Sequence, residues 1–170
     1  MALAQGFVLI DKSKHDVKSF DCGKPEMNQF LARFAINHQS KRISKTWVLT
    51  ELTGETKERV VVYFTLTSSN VTKEDVPLGG GFPNYPLPVV LLARLAVDKN
   101  YSGKGLGSKS LVAAIREAVS LTTVGLNAVG IILDVLDNEA LGFYQNMGIF
   151  NEFTNDPMRL FMTMNEAVKV

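Results

Sequence analysis

The stretch LLARLAVDKNYSGKGLG, from Leu91 to Gly107, decides how this chain is interpreted. Its first half predicts an apolar strand. Its second half is a polar turn with glycines at every second position, followed by an amphipathic helix. Glycines let bare backbone N–H groups approach a phosphate, and a helix N-terminus adds a partial positive charge. The stretch therefore predicts a phosphate site, with a plain tight turn before a helix as the alternative.

The glycine turn matches neither of two common nucleotide motifs. Its glycines are Gly103, Gly105 and Gly107, with Lys104 between the first two, whereas a P-loop requires G-x-x-x-x-G-K-[ST]. A dinucleotide fingerprint requires G-x-G-x-x-G near the first strand, but this turn follows a late strand and its third glycine comes too early. The spacing therefore argues against both nucleotide-binding classes.

Charge is distributed unevenly along the 170 residues, although the formal net charge is only +1. Residues 1–50 carry eight Lys or Arg against four Asp or Glu, a net of +4, and the remainder carries ten against thirteen, a net of −3. The basic part is either a surface that faces a polyanion or a solvated helix face. Its basic residues are Lys12, Lys14, Lys18, Lys24, Arg33, Lys41, Arg42 and Lys45.

Cysteine and histidine usage excludes several site classes. Cys22 is the only cysteine, so the chain has no internal disulfide and no multi-cysteine zinc site. The two histidines, His15 and His38, lie outside every motif, and we expect both on the surface. The apolar start from Met1 to Ile10 lacks a basic n-region and is too short for a membrane span. The cytoplasm is therefore the expected compartment.

The segment after Pro25 predicts a helix, because proline suits the first helical position and apolar residues follow at three- and four-residue spacing. This helix is expected to end at about His38. The apolar positions that define it are Met27, Phe30, Leu31, Phe34 and Ala35.

Periodicity and turn residues elsewhere predict one mixed α/β domain over residues 1–170, with no repeats and no linker. Asp137 is expected to cap a helix and Gly148 to end it. The remaining expected elements are strands at 7–10, 47–52, 59–67, 89–97, 128–136 and 158–164, a short turn at 71–76, a loop at 78–88, and helices after Gly107 and over 137–147.

Two motifs about thirty residues apart carry a more specific signal. RLAVDKNYSGKGLG and DNEALGFYQNMGI together resemble the GNAT superfamily of acetyl-CoA-dependent N-acetyltransferases. The resemblance implies a central mixed, mostly antiparallel sheet that is flanked by helices and splayed at the acetyl-CoA cleft. Composition and spacing alone do not supply this fold.

Five blocks in order narrow the resemblance to the acetyltransferase toxins of bacterial toxin–antitoxin modules. They are FDCGKPEMNQFL, VVVYFTL, PLPVVLLARLAVD, DNEALGFYQNMGI and PMRLFMTM. The resemblance implies acetylation of the α-amine of aminoacyl-tRNA and a bacterial cytoplasmic location without membrane contact. It also implies a homodimer and a ribbon-helix-helix antitoxin, through which DNA is contacted only indirectly.

The resemblance also assigns site residues. Tyr144 is implied as the general acid for the coenzyme A thiolate, with a core tyrosine as the alternative, and the Val97 N–H as the oxyanion donor. Ser102 stands where the family usually has Gln or Arg, which leaves the backbone cradle intact. The implied acetyl-CoA contacts are Leu95, Ala96, Val97, Ser102, Gly103, Lys104, Gly105, Leu106, Gly107, Ser108, Asp137, Ala140 and Phe143.

Acceptor chemistry fits the absence of an obvious general base. An α-amine has a pKa of about 8, which an adjacent ester lowers further, so water can take its proton. Arg94, inside an apolar strand, is either a paired arginine or a tRNA contact. The other expected tRNA contacts are Arg33, Lys41, Arg42 and Lys45, and no metal is expected.

Two other functions remain open at this point. The chain is alternatively an acetyltransferase for protein N-termini, lysines or a small-molecule amine. A degenerate acyl-CoA-binding module is the third possibility, and the intact Gly105, Gly107 and Tyr144 argue against it.

Overall fold

The computed structural model describes residues 2–76, 81–153 and 155–170. The strands are β1 Val8–Leu9, β2 His15–Asp16, β3 Lys45–Glu51, β4 Glu58–Val71, β5 Leu87–Val97, β6 Gly130–Asp134, β7 Asn151–Glu152 and β8 Arg159–Thr163. The helices are α1 Pro25–Gln29, α2 Ala35–Ser40, α3 Leu106–Val124, α4 Asn138–Met147 and α5 Met164–Ala167, with a π-helical turn at Phe30–Phe34 and a 3-10 turn at Lys99–Tyr101.

The strands form one mostly antiparallel sheet of eight in the order β1-β3-β4-β5-β6-β8-β7, and β2 pairs with β4. β3 is antiparallel to β4, β8 is antiparallel to both β6 and β7, and β5 is parallel to β6. This arrangement confirms the expected mixed α/β fold class. The pairs between β5 and β6 run from Val89 with Gly130 to Leu92 with Leu133, whereas β5 continues to Val97.

The chain divides into two compact units, each assembled from two segments. The first unit comprises Met1–Thr67 and Arg94–Ala113, and the second comprises Ser68–Ala93 and Ala114–Val170. The core of the first unit includes Phe20, Phe30, Leu31, Val60 and Tyr63. The core of the second unit includes Val71, Val89, Ile132, Phe153 and Phe161.

A π-helical turn interrupts the predicted helix after Pro25. The Ala35 N–H donates to the Phe30 carbonyl, five residues earlier, in place of the usual four. The additional residue in this turn rotates Phe34 away from the apolar stripe, so Phe34 is 46% exposed while Leu31 and Ala35 are buried. The helix is confirmed and ends at Ser40, but the assignment of Phe34 to its apolar face was wrong.

The remaining sequence predictions hold with shifted ends. The Asp137 cap and the left-handed Gly148 after α4 are confirmed. The predicted turn at 71–76 is one short turn, closed by a hydrogen bond from the Asp75 N–H to the Thr72 carbonyl. β5 begins inside the predicted loop, of which residues 78–80 lie outside the described part of the chain. The sequence did not predict β2, β7 or α5, because elements of two to four residues carry no readable periodicity.

His15 corrects the expectation of two surface histidines. It lies in β2 beside β4 and is only 4% exposed. Its Nδ1 accepts a hydrogen bond from the Asp11 N–H at 2.9 Å. Burial lowers the pKa of the imidazole, and the nearby carboxylates of Asp11 and Glu58 oppose that shift. His15 is therefore a structural histidine of the first unit.

Candidate active site

The glycine turn adopts a backbone that only glycine occupies readily. Gly103 has φ +76° and Gly105 has φ +75°. A Cβ placed on either residue would meet no protein atom within 4 Å. The conformation therefore requires glycine, while the space beside the turn is open to a ligand.

Helix α3 begins immediately after this turn. Its first hydrogen bond joins the Lys109 N–H to the Gly105 carbonyl at 3.3 Å. The N–H groups of Leu106, Gly107 and Ser108 precede that bond and have no partner within the helix. A 19-residue helix with free amides at its start attracts an anion through hydrogen bonding and through its dipole.

Asp98 fixes the strand end that leads into the glycine turn. It is fully buried, and its backbone N–H donates to the Val61 carbonyl on β4 at 2.8 Å. Its carboxylate accepts from the N–H groups of Asn100 and Asp21 and lies 3.6 Å from the Arg59 guanidinium. Strand β5 therefore ends at a carboxylate that is bonded from three directions.

Asp21 extends this anchor to the N-terminal segment. It forms an ion pair with the Lys99 ammonium at 2.9 Å, and its backbone carbonyl accepts from the Lys99 N–H. The hydrogen bonds from Lys99, from the Gly23 N–H and from the Asn28 amide lower the pKa of Asp21 to about 2.

Side chains around the turn hold it from within the first unit. The Ser102 hydroxyl donates to the Lys99 carbonyl at 2.9 Å, so it closes the 3-10 turn. Lys104 lies over the Tyr101 ring at 5.2 Å. The Tyr101 hydroxyl donates to the buried Glu51 carboxylate at 2.6 Å, and this bond raises the pKa of Tyr101 to about 12.

The end of β5 presents alternate residues to two different clusters. Ala96 is buried in the core that contains Phe20 and Tyr63. Leu95 and Val97 pack instead around Val61, together with Leu106 of α3. The Val97 backbone is therefore held by packing on the face where α3 begins.

Arg94 is paired and packed, as the first of its two interpretations predicts. Its guanidinium lies 3.6 Å from the Glu26 carboxylate and 3.5 Å from the Met27 sulfur. The guanidinium carbon also lies 4.4 Å from the centre of the Phe30 ring. Its side chain remains 27% exposed.

Tyr144 lies in the second unit, on helix α4, and is 6% exposed. Its ring packs edge-on against Phe143 at 5.1 Å and Phe150 at 6.2 Å between centroids. No hydrogen bond to its hydroxyl is found among the described residues. Burial raises the pKa of Tyr144 well above its ordinary value of 10.0, so the phenol is protonated at neutral pH.

The other second-unit residues of the predicted acetyl-CoA set build the start of α4. The Asp137 carboxylate accepts from the Ala140 N–H at 2.9 Å, which is a helix N-cap. This cap fixes the first turn of the short helix that carries Tyr144. Asp137 and Ala140 therefore have a clear structural task in addition to any role with the cofactor.

The predicted tRNA contacts Arg33, Lys41, Arg42 and Lys45 are all exposed. Arg42 has φ +62° and occupies the position after helix α2 where glycine is usual. The Ile43 N–H donates to the His38 carbonyl and the Arg42 N–H to the Gln39 carbonyl, which is a Schellman motif. A left-handed arginine is strained, by roughly 1–2 kcal/mol.

The pattern of the acetyltransferase (GNAT) family matches residues 29–149. This chain belongs to the GNAT acetyltransferase family. It is 34% identical over 155 residues to the "tRNA-acetylating toxin" of Mycobacterium tuberculosis (strain ATCC 25618 / H37Rv), covering 89% of this chain and 88% of that protein. The family membership makes the chain an N-acetyltransferase.

Solved structures have the same fold. A tyrosine-to-phenylalanine mutant of KacT superposes with a TM-score of 0.88 at 24% identity over 99% of both chains. AtaT complexed with acetyl-methionyl-tRNAfMet superposes with a TM-score of 0.84 at 23% identity, over 99% of this chain and 98% of the AtaT chain. A mutant of AtaT bound to the C-terminus of the antitoxin AtaR and to acetyl-CoA superposes with a TM-score of 0.78 at 23% identity, over 97% of this chain and 95% of the AtaT chain.

Sequence reasoning missed the anchor that Asp98, Asp21 and Arg59 form beneath the acetyltransferase's glycine turn. One signal was available, because Asp98 directly follows an apolar strand and a buried carboxylate there needs donors. Its partners lie 77 and 39 positions away in sequence, so no local pattern could identify them.

Membrane spans and metal clusters are both absent from the described residues. None of their helices is both long and apolar enough to cross a membrane. No group of three or more His, Cys, Asp or Glu side chains is arranged to hold a metal ion in that part of the chain.

Proposed function

We propose that this acetyltransferase is a toxin that acetylates the α-amine of aminoacyl-tRNA and thereby blocks translation. The observation that carries this proposal is the 34% identity to a tRNA-acetylating toxin over nearly the whole length of both chains. The basic surface of the first unit supports a polyanionic substrate. Acetylation removes the amine's nucleophilic lone pair, so the aminoacyl-tRNA can no longer accept a growing peptide.

Acetyl-CoA is the acetyl donor of this family, and the glycine turn is suited to its pyrophosphate. The turn from Gly103 to Ser108 offers free N–H groups at the start of α3, beside space that no side chain fills. The proposed contacts are those expected from sequence: Leu95 to Val97, Ser102 to Ser108, and the α4 residues Asp137, Ala140 and Phe143.

In the proposed reaction, the neutral α-amine attacks the thioester carbonyl carbon. A C–N bond forms, the C–S bond breaks, and the Val97 N–H stabilises the charge that develops on the carbonyl oxygen. The Tyr144 hydroxyl gives its proton to the departing sulfur, while the proton of the amine leaves to water. The phenolate then takes a proton from solvent, and burial, which raises the pKa of Tyr144, favours that return to the phenol.

We place the tRNA on the basic surface of the first unit, which includes Arg33, Lys41, Arg42 and Lys45. Arg94 then plays two parts, because its side chain is paired with Glu26 and is still 27% exposed. The ion pair with Glu26 is therefore compatible with the proposed tRNA contact of Arg94. Phosphate contacts of this kind provide affinity and position rather than sequence specificity.

Further proposals concern the assembly and the cell. Free activity would poison its own cell, which favours a bacterial cytoplasmic protein held inactive by a ribbon-helix-helix antitoxin. AtaT is a relative that binds an antitoxin. We also propose a single acetyltransferase domain over 1–170, because the family match spans segments of both compact units. The homodimer that the family resemblance implies remains part of the proposal.

Expression in bacteria tests the function directly. The wild-type chain should arrest growth and leave N-acetyl-aminoacyl adenosine after ribonuclease digestion of tRNA, detected by mass spectrometry. Tyr144→Phe, expressed at the same level, should do both much more slowly. Normal growth, with acetyl groups on protein lysines, N-termini or a small amine, would reject the toxin function and favour a general acetyltransferase.

A further inference from the structure

Phe34 is a large apolar side chain that the fold turns outward. It stands at the end of the π-helical turn Phe30–Phe34, with 46% of its surface exposed. Phe34 follows the buried Leu31 by three residues and the buried Phe30 by four, so a regular helix would place all three on the same face. Such turns inside helices are frequent at functional sites. The backbone irregularity therefore has one clear result, which is an aromatic ring in solvent.

His38 forms a second ring beside Phe34. The two ring centroids are 5.9 Å apart with an interplanar angle of 43°. His38 is held in turn by the buried Phe30, whose ring meets it edge-on at 5.6 Å. Phe34 is therefore an exposed ring that packs against His38, and His38 is itself anchored to the core of the first unit through Phe30.

Only positive charge surrounds these rings in sequence. Residues 27–50 contain four Lys or Arg and no Asp or Glu. All four cations, Arg33, Lys41, Arg42 and Lys45, are exposed, and among the described residues none of them forms an ion pair. Arg42 also keeps a strained left-handed backbone where glycine would be relaxed. Strain that is retained at an exposed cation is typical of a functional position.

We propose that Phe34 stacks on an unpaired base in the single-stranded 3′ end of the tRNA. This inference rests on the proposed function. Proteins that hold single-stranded RNA combine aromatic faces for the bases with cations for the backbone, and this surface has both. An apolar protein partner would not require the excess of positive charge that residues 27–50 carry.

Contacts within the first unit link Phe34 to the strand that ends at Val97. Phe30 meets His38 on one side and lies 4.4 Å from the Arg94 guanidinium on the other. Arg94 precedes Val97 by three residues on β5. A tRNA whose reacting amine is near Val97 would bring its unpaired 3′ nucleotides, rather than a distant loop, past Arg94 to Phe34.

Steady-state kinetics with aminoacyl-tRNA test the stacking. Phe34→Ala should raise the KM for aminoacyl-tRNA by about five- to a hundredfold, the range typical of losing one stacked base. The kcat and the KM for acetyl-CoA should stay within about twofold. Phe34→Tyr should restore the wild-type KM because it keeps the ring, whereas Phe34→Leu should not, although it keeps the apolar volume.

The matched control is Leu126→Ala, which removes a side chain that is 90% exposed on the second unit. It should leave every constant unchanged. A Phe34→Leu KM equal to wild type would overturn the stacking, because leucine preserves the apolar contact but has no aromatic face. Phe34→Leu and Phe34→Tyr also keep the test valid if the alanine variant loses its fold.

Direct binding separates this inference from the proposed function. A tRNA with 2-aminopurine at an unpaired position of its 3′ end should lose fluorescence on binding wild type or Phe34→Tyr, and retain it with Phe34→Leu. Quenching that is equal in all variants would remove the stacking even if wild type acetylates the tRNA. Quenching that depends on Phe34, without acetylation of any aminoacyl-tRNA, would retain the stacking and reject the proposed reaction.

Discussion

At the scale of single residues, the glycine turn depends on two backbone angles that glycine adopts readily. Gly103 and Gly105 hold φ values of +76° and +75° beside open space. Because the protein itself leaves that space empty, a side chain added there disturbs a ligand before it disturbs the core. This separates a binding defect from a folding defect.

Gly105→Asp should abolish acetyl-CoA binding, because it adds a carboxylate where the pyrophosphate is expected. Titration calorimetry measures the loss. Gly54→Asp is the matched control, since Gly54 has φ +77° and a Cβ placed on it would meet nothing within 4 Å. Both variants should lose similar stability, but only the first should lose binding. Unchanged affinity in Gly105→Asp would remove the glycine turn from the cofactor site.

Tyr144→Phe should lower single-turnover acetylation by about 10²–10⁴-fold, the usual value of one acid–base group, and should leave the melting temperature almost unchanged. The hydroxyl has no hydrogen bond among the described residues, so its loss costs the fold little. Tyr63→Phe is the crossed control, because the Tyr63 hydroxyl donates to the buried Met27 carbonyl at 2.7 Å.

Tyr63→Phe should therefore lower stability by about 1 kcal/mol while turnover is retained. A Tyr144→Phe rate within about twofold of wild type would show that the sulfur receives its proton from another source.

At the scale of elements, the end of helix α2 is less stable than it would be with glycine at its left-handed position. A Schellman turn usually carries glycine at the left-handed position, and this one carries Arg42. The element would be more stable with the residue that the backbone prefers.

Arg42→Gly should stabilise the protein by about 1 kcal/mol, which raises the Tm by roughly 2–4 °C at this size. The same variant should bind tRNA more weakly, with the slope of log affinity against log salt reduced by about one. Thermal melts and filter binding at several salt concentrations measure both effects. A variant that is more stable and binds equally well would leave the strain without a functional reason.

Strand β2 introduces a pH dependence through His15. Burial lowers the pKa of this imidazole, so the unfolded chain binds the proton more readily than the folded one. Its contribution is fully present above the unfolded pKa of about 6.5 and is lost as the pH falls below that value. Protonation at Nδ1 would also remove the acceptor for the Asp11 N–H.

His15→Asn keeps an acceptor close to the position of Nδ1 but does not titrate. Melting temperatures between pH 8 and pH 5 should fall less steeply for this variant than for wild type. Parallel curves would mean that other groups cause the acid sensitivity.

Sequence and structure agree best where long elements carry periodic side chains. The mixed α/β composition, the Asp137 cap and the glycine turn at the start of α3 were predicted because each depends on neighbouring residues, whereas the arrangement of the sheet was expected from the family resemblance. The outward turn of Phe34 was not, since it results from one hydrogen bond that reaches five residues back instead of four. Burial of His15 was missed for a related reason, because a strand of two residues has no pattern of its own.

At the scale of the whole molecule, net charge conceals the expected interaction. The chain sums to +1, yet its first fifty residues carry +4 and the remainder −3. Charge reversal of Lys41, Arg42 and Lys45 should weaken tRNA binding and flatten its salt dependence, and acetyl-CoA affinity should be unchanged. Binding assays across a salt series measure both effects. If the triple variant binds tRNA as tightly as wild type, these three residues form only a solvated face.

The two compact units have no linker between them. The chain passes from one to the other after Thr67, after Ala93 and after Ala113, and these junctions lie inside β4, β5 and α3. A protease needs several residues of unfolded backbone, and such segments are found at loops and linkers rather than within paired strands. Limited digestion should therefore not release either unit intact, and neither can be produced by shortening the gene from one end.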